Sequence, residues 1–124
     1  EDVLKRSDLH ERDGKDQHAF CTDIDREGDV RMLCNLRPNE RWMGTLLHEL
    51  GHAVYDKYIP RTIPYLLRTA AHTLSTESIA MYFGRLTRDP EWLRQTIGTT
   101  LDPEQDARRQ RQMRLTMRVG VGWM

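Results

Sequence analysis

The chain has little of what would place it in a membrane, in a disulfide-stabilised scaffold or on an anionic surface. Its 124 residues include two cysteines, Cys21 and Cys34, too few for a disulfide framework. Its 19 basic residues balance 19 acidic ones, so no excess charge indicates a nucleic-acid or membrane-surface partner. No apolar run approaches the roughly 18 residues that span a bilayer, and no signal-peptide pattern opens the chain. We therefore expect no membrane and no nucleic-acid partner, and the cysteine count favours a reducing, cytoplasmic location.

The length and composition predict one domain over residues 1–124, with a modest core. The chain opens with Glu1-Asp2 instead of methionine, and its hydrophobic fraction is only 38%. Such a fraction is typical of a piece that packs against more protein. We therefore expect that the remainder of a longer chain is a partner of this domain.

A β-hairpin is predicted near the N-terminus. Residues 1–17 are dense in charge and are expected to be an irregular, exposed segment. Strands are predicted over 18–23 and 30–35, with a turn at Glu27-Gly28 between them. This tip would place Cys21 opposite Cys34. Two reduced thiols are the interpretation that the compartment favours, while a cross-strand disulfide or an accessory metal-ligand pair is the alternative.

The pattern beyond the hairpin is helical. Asn39 is a suitable N-cap for a helix that runs to about Tyr58 and ends before Pro60. Its apolar stripe comprises Met43, Leu46, Leu47, Leu50 and Val54. Further helical segments are predicted at 64–67, at 74–86 after Thr73 or Ser75, from Asp89-Pro90 to Gly98, and from Asp102-Pro103 to about Arg118. The predicted fold is therefore mainly α with one β-hairpin.

The most informative motif is His48-Glu49-Leu50-Gly51-His52, an H-E-x-x-H sequence inside the first long helix. Two residues four positions apart lie about 40° apart around a helix, so both imidazoles share one face and can bind one metal ion. They point away from the apolar stripe. Glu49 lies about 100° from His48, beside this face, where it can contact a water on the ion and act as a base. The motif predicts a zinc-dependent peptidase, against the alternative of two exposed histidines that bind no metal.

The third ligand of a catalytic zinc must come from elsewhere in the chain. The metzincin pattern is excluded, because Tyr55 and Tyr58 stand where it needs glycine and histidine. Glu77 lies at the start of the next predicted helix, and the break at 59–61 lets that helix fold back over the first. Asp56 is a poorer candidate, since it lies on the same helix as the histidines. We therefore predict Zn²⁺ bound by His48, His52 and Glu77.

The motif and its surroundings resemble a known peptidase family. The segments concerned are 17–21, 30–35, 45–53, 72–77 and 80–86. Together they resemble the gluzincin peptidases of the angiotensin-converting-enzyme and thimet oligopeptidase type, in a bacterial form. This resemblance implies an oligopeptidase or peptidyl-dipeptidase that cuts short peptides, with the three zinc ligands above and Glu49 as base.

The resemblance also assigns a role to the hairpin. In this family a strand beside the active site binds the substrate backbone by β-pairing. The implied substrate-binding residues are Gln17, His18, Ala19 and Phe20. Such enzymes are several times longer than this chain, and the residues that stabilise their oxyanion lie in the additional length. The alternatives are therefore a zinc-binding fragment without activity, or a short stand-alone regulatory zincin.

Overall fold

A computed structural model describes residues 2–98, 102, 104–105, 107–108, 110–112 and 114–115. This part of the chain is mainly helical with one two-stranded antiparallel hairpin, which confirms the predicted fold class. The elements are α1 (Asp2–Arg6), β1 (Phe20–Asp23), β2 (Val30–Leu33), α2 (Glu40–Lys57), a 3-10 helix (Tyr65–Leu67), α3 (Thr73–Arg85), a second 3-10 helix (Leu86–Arg88) and α4 (Pro90–Ile97). The chain divides into two compact units, Glu1–Gly84 and Arg85–Met124.

The hairpin has a different register from the predicted one. Cys21 pairs with Met32, not with Cys34. The predicted tip at Glu27-Gly28 is wrong because the loop closes one residue earlier: the Asp25 carboxylate accepts hydrogen bonds from the backbone N–H groups of Glu27, at 2.8 Å, and of residue 29, at 3.1 Å. Gly28 adopts the positive φ expected of it, at 105°. Both cysteines are free thiols, which agrees with the interpretation that the compartment favours.

The predicted irregular, exposed N-terminal segment is only partly correct: residues 9–17 contain no helix or strand and are mostly exposed, whereas the residues before them are ordered against β2. Residues 2–6 form α1, and Asp8 makes a parallel bridge to Leu33 on the outer edge of β2. The side chain of Lys15 is only 1% exposed, and its ammonium donates to the carbonyl oxygens of Asp8, His10 and Cys34. The segment is ordered because it satisfies the backbone groups of an edge strand, a need that local charge density does not reveal.

Helix α2 begins and ends as predicted. The Asn39 side chain accepts from the backbone N–H of Trp42 at the N-terminus, and the helix ends at Lys57. Its predicted apolar stripe is only partly correct, since Val54 is 39% exposed while Leu46 and Leu50 pack against the core. The four buried residues of that core are Val30, Met32, Cys34 and Ala53. The core therefore lies between α2 and the hairpin.

The second unit, taken by itself, contains the C-terminal helices. Asp89 caps α4 by accepting from the backbone N–H of Trp92, Pro90 is its first residue, and Gly98 ends it with a φ of 70°. These features were all predicted. The described residues between 104 and 115 are helical, and the rest of the helix predicted up to Arg118 lies outside the described residues. Across the described part of the chain, no helix combines the length and the apolar character needed to cross a membrane.

Candidate metal centre

Helix α2 presents the two histidines of the motif side by side. Their ring centroids lie 4.9 Å apart, and the rings meet at 82°. The Nε2 atoms of His48 and His52 face each other at 3.2 Å. This follows from their spacing, because residues four apart in a helix stand one above the other on the same face.

Glu77 brings a carboxylate from α3 to the same point. Its Oε2 lies 3.5 Å from Nε2 of His48, and its Oε1 lies 3.5 Å from Nε2 of His52. Zinc–nitrogen bonds of 2.0–2.1 Å in tetrahedral geometry place neighbouring ligand atoms about 3.3–3.4 Å apart. The nitrogen–nitrogen separation is close to that edge length. The two 3.5 Å contacts involve different oxygens of Glu77, and one ligand atom from each of the three residues lies within 4.8 Å of the other two. Among the described residues, these three form the one cluster of three or more histidine, cysteine or acidic side chains arranged to hold a metal ion.

Small residues set the spacing between α2 and α3. A Cβ added at Gly51 would lie 2.5 Å from Cα of Ala80, and one added at Gly84 would lie 3.3 Å from the carbonyl oxygen of Gly44. Along this contact, residue numbers rise on α2 as they fall on α3, so the two helices run in opposite directions. Glu77 lies one turn before Ala80. The close approach at Gly51 therefore brings the Glu77 carboxylate within reach of both imidazoles.

A residue that sequence reasoning missed contacts the far side of one imidazole. Nδ1 of His52 lies 2.7 Å from Oγ1 of Thr76, within hydrogen-bond distance. Thr76 directly precedes Glu77, so two consecutive residues of α3 contact the two ring nitrogens of His52. The sequence offers one signal for this contact. Thr76 stands next to the proposed ligand Glu77, and a hydroxyl there is a suitable partner for the second ring nitrogen of a ligating histidine.

Burial alters the protonation of two groups at this centre. It lowers the pKa of His48 below its ordinary value, and the neighbouring His52 acts in the same direction. This favours the neutral imidazole, the form that binds metals. Burial is also the main reason why the pKa of Glu49 rises to about 7, with the Glu77 carboxylate contributing. Glu49 is only 6% exposed. A carboxyl group with this pKa can both accept and release a proton near neutrality.

A cavity of about 580 Å³ opens beside the cluster. Its wall includes the three clustered side chains, Glu49, Thr76 and the whole of strand β1. Asp56, the rejected ligand candidate, lines the cavity but does not belong to the cluster. Arg26 and Arg68 also line it, and both guanidinium groups lie over the ring of Tyr65, at 5.4 and 5.9 Å from its centroid. The cavity thus joins the cluster to strand β1, whose second edge pairs with no described strand, and to two arginines, of which Arg68 forms an ion pair with Glu27.

The residues that the resemblance assigned to substrate binding fall in two groups. Ala19 and Phe20 line the cavity, and Phe20 is the first residue of β1. Gln17 and His18 precede the strand and do not line this cavity; instead the Gln17 amide donates to the carbonyl of Lys15, and the backbone N–H of His18 donates to Asp16. The strand begins later than predicted because the Asp16 side chain forms a turn there.

Comparison of the chain with protein-family models, with curated proteins and with solved structures finds no match.

Proposed function

We propose that this chain is the zinc-binding catalytic part of a peptidase of the gluzincin type, and that it hydrolyses peptide bonds in short peptides. The observation that carries the proposal is the convergence of two imidazole nitrogens and one carboxylate at 3.2–3.5 Å beside a cavity. Two nitrogens and one carboxylate are a common ligand set of catalytic zinc, which keeps a fourth position for water or substrate.

The donor set fits zinc better than other common ions. Imidazole nitrogen favours zinc over calcium and magnesium, which prefer oxygen ligands. The lowered pKa of His48 favours its metal-binding form at neutral pH. His48, His52 and Glu77 would hold the ion, which would polarise a substrate carbonyl and make a water more acidic.

Glu49 is the residue best placed to move the proton. Its carboxyl group is buried in the same cavity wall, one residue from His48, and its raised pKa suits a general base. In this proposal a Glu49 carboxylate oxygen takes the proton of the attacking water. The same carboxyl group then gives that proton to the nitrogen of the departing amine, so that Glu49 returns to its starting form.

Strand β1 is proposed to hold the peptide. It pairs with β2 along one edge, and no described strand pairs with its other edge. Every residue of β1 lines the cavity, as does Ala19 before it. An extended peptide added to this edge would form backbone hydrogen bonds and lie beside the metal cluster. Ala19 and Phe20 remain in this proposal as substrate-binding residues, whereas the positions of Gln17 and His18 outside the cavity do not support theirs.

We also propose a cytoplasmic location. Its support is chemical: Cys21 and Cys34 are both free, which suits a reducing compartment.

The test is a fluorogenic peptide assay on the zinc-loaded protein, with Glu49→Gln as the decisive variant. Loss of the base should lower kcat by about 10²–10⁴-fold while the bound zinc stays at the wild-type level. Glu91→Gln, which alters an exposed glutamate of α4, is the matched control and should cleave normally. Normal cleavage by Glu49→Gln would overturn the assignment of the base. Zinc binding without cleavage by the wild-type chain would favour the alternative, a non-catalytic zinc-binding module.

A further inference from the structure

The two histidines of the cluster differ in the hydrogen bonding of Nδ1, the ring nitrogen that does not face the cluster. Nδ1 of His52 has Thr76 Oγ1 at 2.7 Å. For His48, no hydrogen bond of Nδ1 is found among the described residues. The two rings therefore share the same neighbours at Nε2 but differ at Nδ1.

From this asymmetry we propose that Thr76 is a positioning residue for the metal centre, which holds His52 as the tautomer with its proton on Nδ1. The proposal rests on the proposed zinc site. A neutral imidazole carries one proton, and a ring with that proton on Nδ1 keeps the Nε2 lone pair free for an ion. Here Nδ1–H donates to the threonine oxygen, and Nε2 faces Glu77 and His48.

The position of Thr76 explains why one residue can both fix the tautomer and orient the ring. Thr76 and Glu77 are consecutive residues of α3, and they contact opposite edges of the same imidazole. The ring therefore cannot rotate about its Cβ–Cγ bond without losing the contact to Thr76. The backbone of α3 is held against α2 only one turn further on, at the contact between Ala80 and Gly51.

The burial of the ring makes the bond effective. The His52 side chain is 16% exposed, against 30% for His48. Water therefore competes less for the hydrogen-bonding groups of His52, and a fixed partner matters more for that ring. Loss of such an outer hydrogen bond to a ligating histidine typically weakens metal binding 10- to 100-fold.

Two variants of Thr76 distinguish the effect of its hydroxyl group on zinc binding from the effect of its side-chain shape. Thr76→Val keeps the branched shape and removes the hydroxyl, whereas Thr76→Ser keeps the hydroxyl. In a competition titration with a chromophoric chelator, Thr76→Val should bind Zn²⁺ about 10- to 100-fold more weakly than wild type, and Thr76→Ser should stay within a few-fold. Ser78→Ala is the matched control, because it removes an exposed hydroxyl of α3 that bonds only to the helix backbone, and it should bind zinc as wild type does.

A second measurement reads the tautomer directly and needs no metal. Long-range ¹H–¹⁵N spectra of histidine-labelled protein should show the His52 proton on Nδ1 in wild type and Thr76→Ser, and a redistribution between the two nitrogens in Thr76→Val. Equal zinc affinity of Thr76→Val and wild type, or a His52 proton on Nε2 in the wild-type protein, would overturn the role of Thr76. Failure of the wild-type chain to bind zinc would instead overturn the proposed function, whatever tautomer the spectra show.

Discussion

Helix α2 packs against different partners on its two sides, and the two contacts are built from different kinds of residue. Towards the hairpin, Ala53 joins Val30, Met32 and Cys34 in an apolar core. Towards α3, the contact consists of glycine, alanine and the polar cluster. Burial of apolar area stabilises the first side at about 25 cal/mol per Å². Among the described residues, none of α3 belongs to that apolar core or packs against it.

The comparison predicts which side of α2 a bound metal ion would stabilise. The hairpin side is stabilised by its own packing, so it should be indifferent to zinc. The α3 side places two imidazoles and a carboxylate within 3.5 Å of one another, and an ion would offset the cost of holding them there. Zinc should therefore stabilise the protein mainly by tightening the contact between α2 and α3.

The largest effect is expected on the hairpin side. Met32→Ala removes a large side chain that is only 2% exposed, and should lower the free energy of unfolding by about 2–5 kcal/mol. Urea titrations with and without zinc measure this change in the free energy of unfolding. The loss should be the same in both conditions, because Met32 is not among the residues of the cluster. A loss confined to the zinc-loaded protein would contradict the separation of the two sides.

Replacement of the Glu77 carboxylate should have the opposite pattern: zinc affinity should fall, while the stability of the metal-free protein should hardly change. Loss of an outer hydrogen bond to a metal ligand can weaken metal binding about 100-fold. Glu77→Gln removes a ligand itself, so it should weaken zinc binding by more than this. Its free energy of unfolding without zinc should stay within about 0.5 kcal/mol of wild type, since the side chain is 43% exposed. Isothermal titration and urea unfolding give the two quantities. Unchanged zinc affinity would place the third ligand elsewhere.

Much of this site could be predicted from the sequence, and most of the exceptions depend on contacts between distant parts of the chain. The spacing of His48 and His52 fixes their common face, and the cap at Asn39 fixes where the helix begins, so local rules suffice. Glu77 required only the expectation that α3 folds back over α2. The order of residues 2–15 depends on the edge of β2, and the contact of Thr76 with His52 depends on the packing of two helices. These are tertiary contacts that local patterns do not encode. The hairpin register has a different cause: the Asp25 side chain makes local contacts within the turn, and the turn signal over 25–29 does not fix which residues form the tip.

The close contact between the helices gives a graded test. Gly51→Ala would place a Cβ 2.5 Å from the backbone of Ala80, so α3 must move away from α2. We expect zinc affinity to fall about tenfold or more, at a cost of about 1–3 kcal/mol to the packing. Gly84→Ala is the matched comparison and should have a smaller effect, because its Cβ would meet atoms at 3.3–3.4 Å. Equal zinc affinity in Gly51→Ala and wild type would show that helix spacing does not control the cluster.

The last effect concerns pH. Burial raises the pKa of Glu49 from 4.5 to about 7, so between these values the folded chain keeps a proton that the unfolded chain has released. Stability of the metal-free protein should therefore fall as pH rises through this window, by up to about 3 kcal/mol from this group. Glu49→Gln should remove that part of the pH dependence and be the more stable protein at pH 8. Parallel stability curves for the two proteins from pH 4.5 to 8 would contradict it.

The most direct test of the proposed zinc site is X-ray absorption at the zinc K-edge of the protein loaded with one equivalent of the metal. The account predicts two imidazole ligands and oxygen ligands at about 2.0–2.2 Å, supplied by His48, His52, Glu77 and solvent. Sulfur at about 2.3 Å, which Cys21 or Cys34 would contribute, or a spectrum of hydrated zinc without imidazole, would contradict it.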